Sequence, residues 1–162
     1  MPNIPHNEPQ SLANLAWAFA TLSVIDGPLL DSISAASIPR ISSFSQQNLA
    51  NTAWAFANIE VVHRPLLDSI AASAMRTMQD FAPRGLANTV WAYSTSAVAH
   101  GPLLHSIASS SMATITQFTP QNVANIAWSI ATLGFSDAPL LNALAAAAMP
   151  NRPQFSTQDL SN

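Results

Sequence analysis

The chain has little charge and lacks several residue types on which chemical sites depend. Only 8% of its 162 residues are Asp, Glu, Lys or Arg, against about a quarter in an average protein. It contains no Cys, which excludes disulfide scaffolds, Cys-based metal sites and thiol chemistry. It also contains no Lys, and with five Arg its net charge is −3. This balance argues against a strongly basic nucleic-acid binder.

Long apolar runs are absent as well. Polar residues or Pro interrupt every run before the roughly 18 residues that a membrane helix needs, so we expect no membrane association. Hydrophobic residues nevertheless make up 49% of the chain, and this content argues against intrinsic disorder. The length suffices for one domain with a sizeable core.

Repetition is the dominant feature of the sequence. Four residue types recur at steps of 37 residues without one insertion or deletion. These are Trp17, Trp54, Trp91 and Trp128; Asn14, Asn51, Asn88 and Asn125; Pro28, Pro65, Pro102 and Pro139; and Phe44, Phe81, Phe118 and Phe155. Such periodicity is typical of stacked helical or related repeats. We therefore predict a single array over 1–162, with units at about 9–45, 46–82, 83–119 and 120–156 and partial units at both ends.

Each unit is predicted to contain two helices. Residues 46–59 contain no Gly or Pro and are rich in Ala, and Ser45 is a plausible N-cap. Thr119 and Ser156 hold the same place in other units. A second helix is predicted from Pro65 to about Met75, and the short loop between the two favours an antiparallel pair. The expected fold is all-α, an α-solenoid of about four 37-residue two-helix repeats.

Both ends of the chain match parts of a further unit. Residues 156–162 repeat the opening of a first helix, and residues 2–9 repeat the tail of a unit. Complete solenoids carry polar caps at their ends. We therefore expect the chain to be a segment of a longer array.

A helical wheel of residues 46–59 separates an apolar face from a polar one. The predicted core face holds Leu49, Ala50, Ala53, Phe56 and Ala57. The predicted outer face holds Asn48, Asn51, Ala55 and Asn58, with Gln47 at its edge and Trp54 on the boundary.

The polar face is the candidate binding site, for RNA or for a peptide. Its candidate contact residues are Gln10, Ser11, Asn14, Gln47, Asn48, Asn51, Thr52, Arg84, Asn88, Thr89, Gln121, Asn122 and Asn125. A residue that is identical in every unit, such as Asn51, cannot distinguish bases. It can bind a backbone, either that of the protein or that of a nucleic acid. The positions of Asn48 and Thr52 vary between units, as a reader of one base per repeat requires.

Structural roles compete with binding at each of these positions. The repeated Asn side chains of such arrays more often form a ladder of hydrogen bonds to backbone groups of the neighbouring unit. The repeated Trp is expected to pack between repeats rather than to stack on bases. Variation at the Asn48 position is equally compatible with drift on a solvated face. We expect Asp26, Glu60, Asp80 and Asp137 to be solvated loop residues.

No pattern in the sequence predicts catalysis. His63, His100 and His105 lie near the starts of second helices, but no metal-binding motif, paired carboxylates, phosphate-binding loop or nucleophile elbow accompanies them. We expect no enzymatic activity and no catalytic residue, metal site, cofactor or small-molecule substrate.

The recurring unit resembles a known family of repeats. SLANLAWAFATL at 11–22 and NLANTAWAFANI at 48–59, each followed by Pro-Leu-Leu, are similar to the 37-residue heptatricopeptide repeat and its relative, the octatricopeptide repeat. Such repeats occur in organellar proteins that often end in a RAP domain, and the FAST-kinase-like mitochondrial RNA proteins are related. The resemblance implies an α-solenoid whose first helices line a concave face that binds single-stranded RNA. It also implies a location in the mitochondrion or chloroplast and a role in RNA processing, stability or translation.

Two hypotheses of function follow. The first is a helical-repeat RNA-binding protein of an organelle. The second is a protein-interaction scaffold that holds an extended peptide in the groove, with Asn side chains bonded to the peptide backbone. RNA binding predicts a preference for single strands, whereas a scaffold predicts weak salt dependence and no retention of RNA.

Overall fold

The computed structural model of the chain describes residues 9–149, which are all-helical with no strand among them. Eight α-helices follow one another as four antiparallel pairs. They are α1 (Pro9–Thr21), α2 (Gly27–Ser37), α3 (Gln46–Asn58), α4 (Arg64–Arg76), α5 (Pro83–Thr95), α6 (Gly101–Thr114), α7 (Pro120–Thr132) and α8 (Ala138–Ala148). Short 3₁₀ segments at Ile38–Ser43, Met78–Asp80 and Ile115–Gln117 lead from one pair to the next. The predicted α-solenoid is confirmed.

Some of the predictions concern residues outside this range. The N-cap at Ser156 and the repeat position of Phe155 lie outside the described residues, as does the match at 156–162. Most of the match at 2–9 also lies outside it. The longer array therefore stays a prediction.

Side chains at the predicted positions cap two of the first helices, α3 and α7. The Ser45 hydroxyl accepts a hydrogen bond from the N–H of Asn48 at 3.2 Å, and Thr119 accepts one from Asn122 at 3.3 Å. The N–H of Thr119 in turn donates to the Asn122 side-chain oxygen at 3.1 Å. This reciprocal pair is a capping box, and it satisfies two backbone groups that would otherwise lack partners.

The second helices have caps that the sequence analysis did not identify. Asp26 and Asp137 accept hydrogen bonds from the N–H groups of residues three positions later. In the two middle units His63 and His100 do the same through Nδ1, each at 3.1 Å. Asp26 and Asp137 lie in loops, as predicted. Each also satisfies a free N–H group at a helix start, a capping role that the prediction did not include.

Each first helix ends in the same left-handed turn. Ser23, Glu60, Ala97 and Gly134 occupy one position of the repeat, and their φ angles are 54°, 56°, 51° and 64°. In α5 the N–H of Val98 donates to Tyr93 O at 2.9 Å, and the N–H of Ala97 donates to Ser94 O at 3.0 Å. The same pair of bonds closes the other three first helices. This pattern is a Schellman motif, for which Gly is preferred.

The first helices pack closely against one another, whereas the second helices contact each other much less. Small side chains allow the close approach: Ala13, Ala16, Ala53 and Ala87 are fully buried. The first helices therefore form one closely packed layer, and a groove opens on its exposed side. Ala55, which was predicted on the outer face, is also fully buried. That prediction was wrong because a first helix is covered on its two flanks as well as behind.

The left-handed turn predicts opposite effects of two substitutions. We expect Ala97→Gly to raise the free energy of unfolding by about 0.5–1 kcal/mol and Gly134→Ala to lower it by about 1 kcal/mol, because only Gly adopts this φ without strain. Nothing lies within 4 Å of a Cβ built on Gly134. The stability lost in Gly134→Ala would therefore come from backbone strain alone. Urea denaturation measures both. Ala72→Gly, at an exposed position inside α4, is the matched control and is expected to destabilise by about 1 kcal/mol.

The only Tyr of the chain is buried between units. Tyr93 on α5 donates its hydroxyl to Leu67 O on α4. Burial raises the pKa of this phenol well above its usual range, and nearby Asp68 raises it further. The Tyr93 hydroxyl therefore stays protonated and remains a donor in the folded state.

Alkaline pH tests this contact. Because the pKa of Tyr93 is higher in the folded chain, the stability it contributes is complete below about pH 10 and is lost as pH rises further. The loss approaches about 1.4 kcal/mol per pH unit. The chain has neither Lys nor Cys, so Tyr93→Phe should remove this slope in denaturation series between pH 9 and 12. An equal slope in the variant would contradict the assignment.

Candidate functional site

The exposed sides of the four first helices form one continuous surface, which we call the groove face. It consists of the residues at positions i, i+4, i+7 and i+11 of each helix, all of which are exposed or half-buried. They are Gln10, Asn14, Trp17 and Thr21; Gln47, Asn51, Trp54 and Asn58; Arg84, Asn88, Trp91 and Thr95; and Gln121, Asn125, Trp128 and Thr132. The spacing follows one stripe along a helix.

A groove crosses this face over α1, α3 and α5. Its walls include Asn14 and Trp17 from the first unit, Asn51 and Trp54 from the second, and Asn88 from the third. A smaller pocket adjoins it between the starts of α3 and α5, and Arg84 lines both. The structure thus brings the repeated Asn, the repeated Trp and one Arg onto a single surface.

Three of the candidate contact residues are not accessible. Thr52 and Thr89 are buried, and their hydroxyls donate to carbonyls of their own helices, Asn48 O and Gly85 O, each at 2.8 Å. Asn122 is 8% exposed and is held in the capping box with Thr119. Contact by these three side chains is therefore contradicted, because packing of neighbouring first helices covers the flanks that the helical wheel left open.

The other candidates reach the surface to different degrees. Six of them are exposed, and four are half-buried. The exposed residues are Gln10, Ser11, Asn14, Gln47, Arg84 and Gln121, and the half-buried residues are Asn48, Asn51, Asn88 and Asn125.

The repeated Asn does not form the expected ladder. Among the described residues, the side-chain amides of Asn14, Asn51, Asn88 and Asn125 have no hydrogen-bond partner in the protein. A different residue bonds one first helix to the next: the Asn58 amide donates to Ala20 O at 3.0 Å. The repeated amides are therefore free to bond a ligand.

The Trp side chains combine packing with exposure. Trp54 and Trp91 pack on the core and on each other, with ring centroids 6.3 Å apart and planes tilted by 30°. Trp17, on the first unit, is 46% exposed. The expected packing between repeats is present for the middle pair, and the ring of Trp17 is open to stacking.

The candidate contact residues did not include the last position of the groove face, although the helical wheel placed Asn58 on the outer face. Thr21, Thr95 and Thr132 are exposed there, as is Asn58. Thr21 and Thr132 donate to the carbonyls of Trp17 and Trp128 at 2.8 and 2.9 Å. Continuing the spacing of the Gln, Asn and Trp positions by one turn would have identified them.

Charge is distributed unevenly between the two helical layers. The four first helices contain no Asp or Glu, and Arg84 is their one charged residue. Asp31 and Asp68 lie in second helices, and Asp80 lies beside the small pocket that Arg84 lines. The groove face is therefore neutral except for one cation, although the chain as a whole is acidic.

Residues 9–149 contain no group of three or more His, Asp or Glu that could hold a metal ion. None of the described helices is long and apolar enough to cross a membrane. His105, one of the three His residues considered above, lies outside the groove face and packs edge-on against Phe135 at 4.9 Å.

The fold and the groove define a helical-repeat protein with an amide- and Trp-lined concave face. The model of one protein family, described as RNA-editing substrate-binding complex 6 protein, matches residues 5–157. Because the match spans nearly all of the sequence, the chain belongs to this family. No curated protein matches the chain.

The family bears on the resemblance stated from the sequence. Its description names RNA, and the described residues of this chain are all-helical. The match is not to the heptatricopeptide, octatricopeptide, RAP-domain or FAST-kinase-like families. The broader expectation of an RNA-associated helical protein is supported, and the narrower family assignment is not.

The repeated Asn side chains, which have no partner, and the bonded Asn58 side chain should contribute differently to the free energy of unfolding. Asn51→Ala and Asn88→Ala should leave the free energy of unfolding unchanged or raise it by up to about 0.5 kcal/mol, because Ala favours helix and no bond is lost. Asn58→Ala should lower it by about 1 kcal/mol, because the bond to Ala20 O disappears. Thermal or urea denaturation distinguishes the two. A loss of more than about 1 kcal/mol in Asn51→Ala would restore the ladder interpretation.

Proposed function

We propose that the chain binds single-stranded RNA along the groove face and acts, without catalysis, in mitochondrial RNA processing. The observation that carries the proposal is the row of repeated Asn amides with no partner among the described residues, set beside Trp rings on one concave surface. The family description, with its reference to an RNA-editing substrate-binding complex, supports the RNA and the processing role. It gives no support to the chloroplast alternative.

The chemistry of the groove face suits an unpaired RNA strand. An Asn side chain offers both a donor and an acceptor, so it can bond a base edge, a 2′-hydroxyl or a phosphate oxygen. Trp rings stack on exposed bases, which are accessible in single strands and hidden in duplexes. Neighbouring units repeat these groups along the groove, so successive nucleotides can meet similar contacts.

The electrostatic contribution to binding is expected to be small. Phosphate contacts provide most of the salt-dependent affinity in ordinary nucleic-acid complexes. Here Arg84 is the one cation on the groove face, and Asp80 lies at the neighbouring pocket. We therefore expect modest affinity that comes mainly from stacking and neutral hydrogen bonds.

The near-neutral groove also favours a second candidate function. A surface of amides with a single charge suits an extended peptide, whose backbone offers the same donors and acceptors as the Asn side chain. The family is named for a complex, so a protein partner in the groove is also plausible. On this alternative the chain is a scaffold, and RNA is held by other subunits.

Direct binding decides between the two candidates. Labelled random single-stranded RNA of about 20 nucleotides, longer than a typical single-strand binding site, is titrated with the folded chain and followed by fluorescence anisotropy. Duplex RNA of equal length is the control. Saturable binding with a preference for the single strand supports the proposal. Absence of binding at about 20 mM salt, where electrostatic attraction is least screened, would favour the peptide scaffold.

Salt dependence gives a sharper prediction about Arg84. For one phosphate contact, the logarithm of the binding constant should fall with the logarithm of salt concentration at a slope of about −0.7. Arg84→Gln should bring this slope close to zero and weaken binding at low salt. Arg64→Gln, on the exposed start of α4, is the matched control and should change neither. A slope several times steeper, or an equal effect of Arg64→Gln, would contradict a single contact at Arg84.

A further inference from the structure

We infer that the groove face holds single-stranded RNA without reading its base sequence. The inference rests on the proposed function and specifies the class of ligand: unpaired RNA of any composition. It follows from which repeat positions are exposed and which are covered.

The positions that are exposed are the ones that hardly change between units. Every first helix presents Asn at its second groove-face position and Trp at its third. The first position is Gln in three units and Arg84 in the other. The last is Thr in three units and Asn58 in the other. A strand lying along the groove therefore meets nearly the same side chains at every unit.

The positions that vary between units are largely inaccessible from the groove. In the register of Thr52 the residues of the last three units are at most 1% exposed, and Leu15 is packed against the core. In the register of Asn48, among residues 9–149, only Ser11 and Asn48 keep an accessible side chain. Gly85 has no side chain, and Asn122 is engaged by the capping box.

Base discrimination requires what this arrangement lacks. A reader of one base per repeat changes its side chains from unit to unit, because each base edge has its own pattern of donors and acceptors. An Asn amide can rotate to present its donor or its acceptor to a base edge, and a Trp ring stacks on any base. Of the two departures on the groove face, Asn58 donates its amide to Ala20 O. The other, Arg84, suits a phosphate, and phosphate contacts position a strand without reading it.

Homopolymers and selection test the inference with the chain as it stands. Oligo(A), oligo(U) and oligo(C) of equal length are titrated, and a random library is put through several rounds of selection. We expect dissociation constants within about fivefold of one another, since stacking strength alone gives modest preferences, and no enriched motif. A preference above about tenfold for one composition, or an enriched motif, would overturn the inference while leaving RNA binding intact.

An exchange of side chains tests the variable register directly. The double variant Ser11→Asn, Asn48→Ser swaps the two accessible residues of that register and preserves composition. We expect unchanged relative affinities across the homopolymers. A shift of more than about threefold in their ratios would show that this register reads bases.

A loss-of-contact series separates this inference from the proposed function. Asn51→Ala and Asn88→Ala should weaken binding to each homopolymer by the same factor, about threefold to tenfold for a lost hydrogen bond. Asn142→Ala, on the exposed side of α8, is the matched control and should change nothing. Weakening for one homopolymer only would overturn the inference. If the folded chain binds no RNA at all, the proposed function itself fails, and the inference fails with it.

Discussion

Close contact between successive first helices is the constraint on which the rest of the structure depends. Ala at the contact positions lets α1, α3, α5 and α7 approach, and these side chains are fully buried. A larger residue such as Leu at Ala53 would force the helices apart, because packed interiors accommodate added volume poorly. The close spacing and the cover from the paired second helices bury most of the surface of each first helix. They leave each first helix one narrow exposed stripe, which becomes the groove face.

The same constraint accounts for the sparse charge. A first helix is covered behind by its partner and on both flanks by its neighbours, so most of its circumference excludes charged side chains. Amides, hydroxyls and Trp occupy the remaining stripe, and within residues 9–149 the carboxylates lie in loops, a 3₁₀ segment and second helices. Low charge is therefore a property of the architecture. The acidic balance of the whole chain does not describe the surface where a ligand would lie.

The fold was predictable because its signals are strictly periodic: the recurrence of Trp17 at Trp54 and beyond indicates a repeat even where single helices are ambiguous. The site was predictable only in part. A helical wheel assumes one buried side, which is why Ala55 was placed on the outer face and Thr52 was taken as a contact residue, although neighbouring helices cover both. The left-handed turn was hidden because Gly marks it only at Gly134. The caps at His63 and His100 were hidden because His is an unusual residue at an N-cap.

Packing between adjacent units also bears on how such an array changes length. Contacts between first helices join α1 to α3, α3 to α5 and α5 to α7, so each unit is held chiefly by the units next to it. When 37 residues are removed or duplicated in register, the units on either side of the change meet through the same kind of surface as before. No contact between distant units has to be rebuilt. An in-register duplication in the gene would thus lengthen the concave surface by one Gln, Asn, Trp and Thr set. Whole units, rather than single residues, are the natural increments by which this surface grows or shrinks.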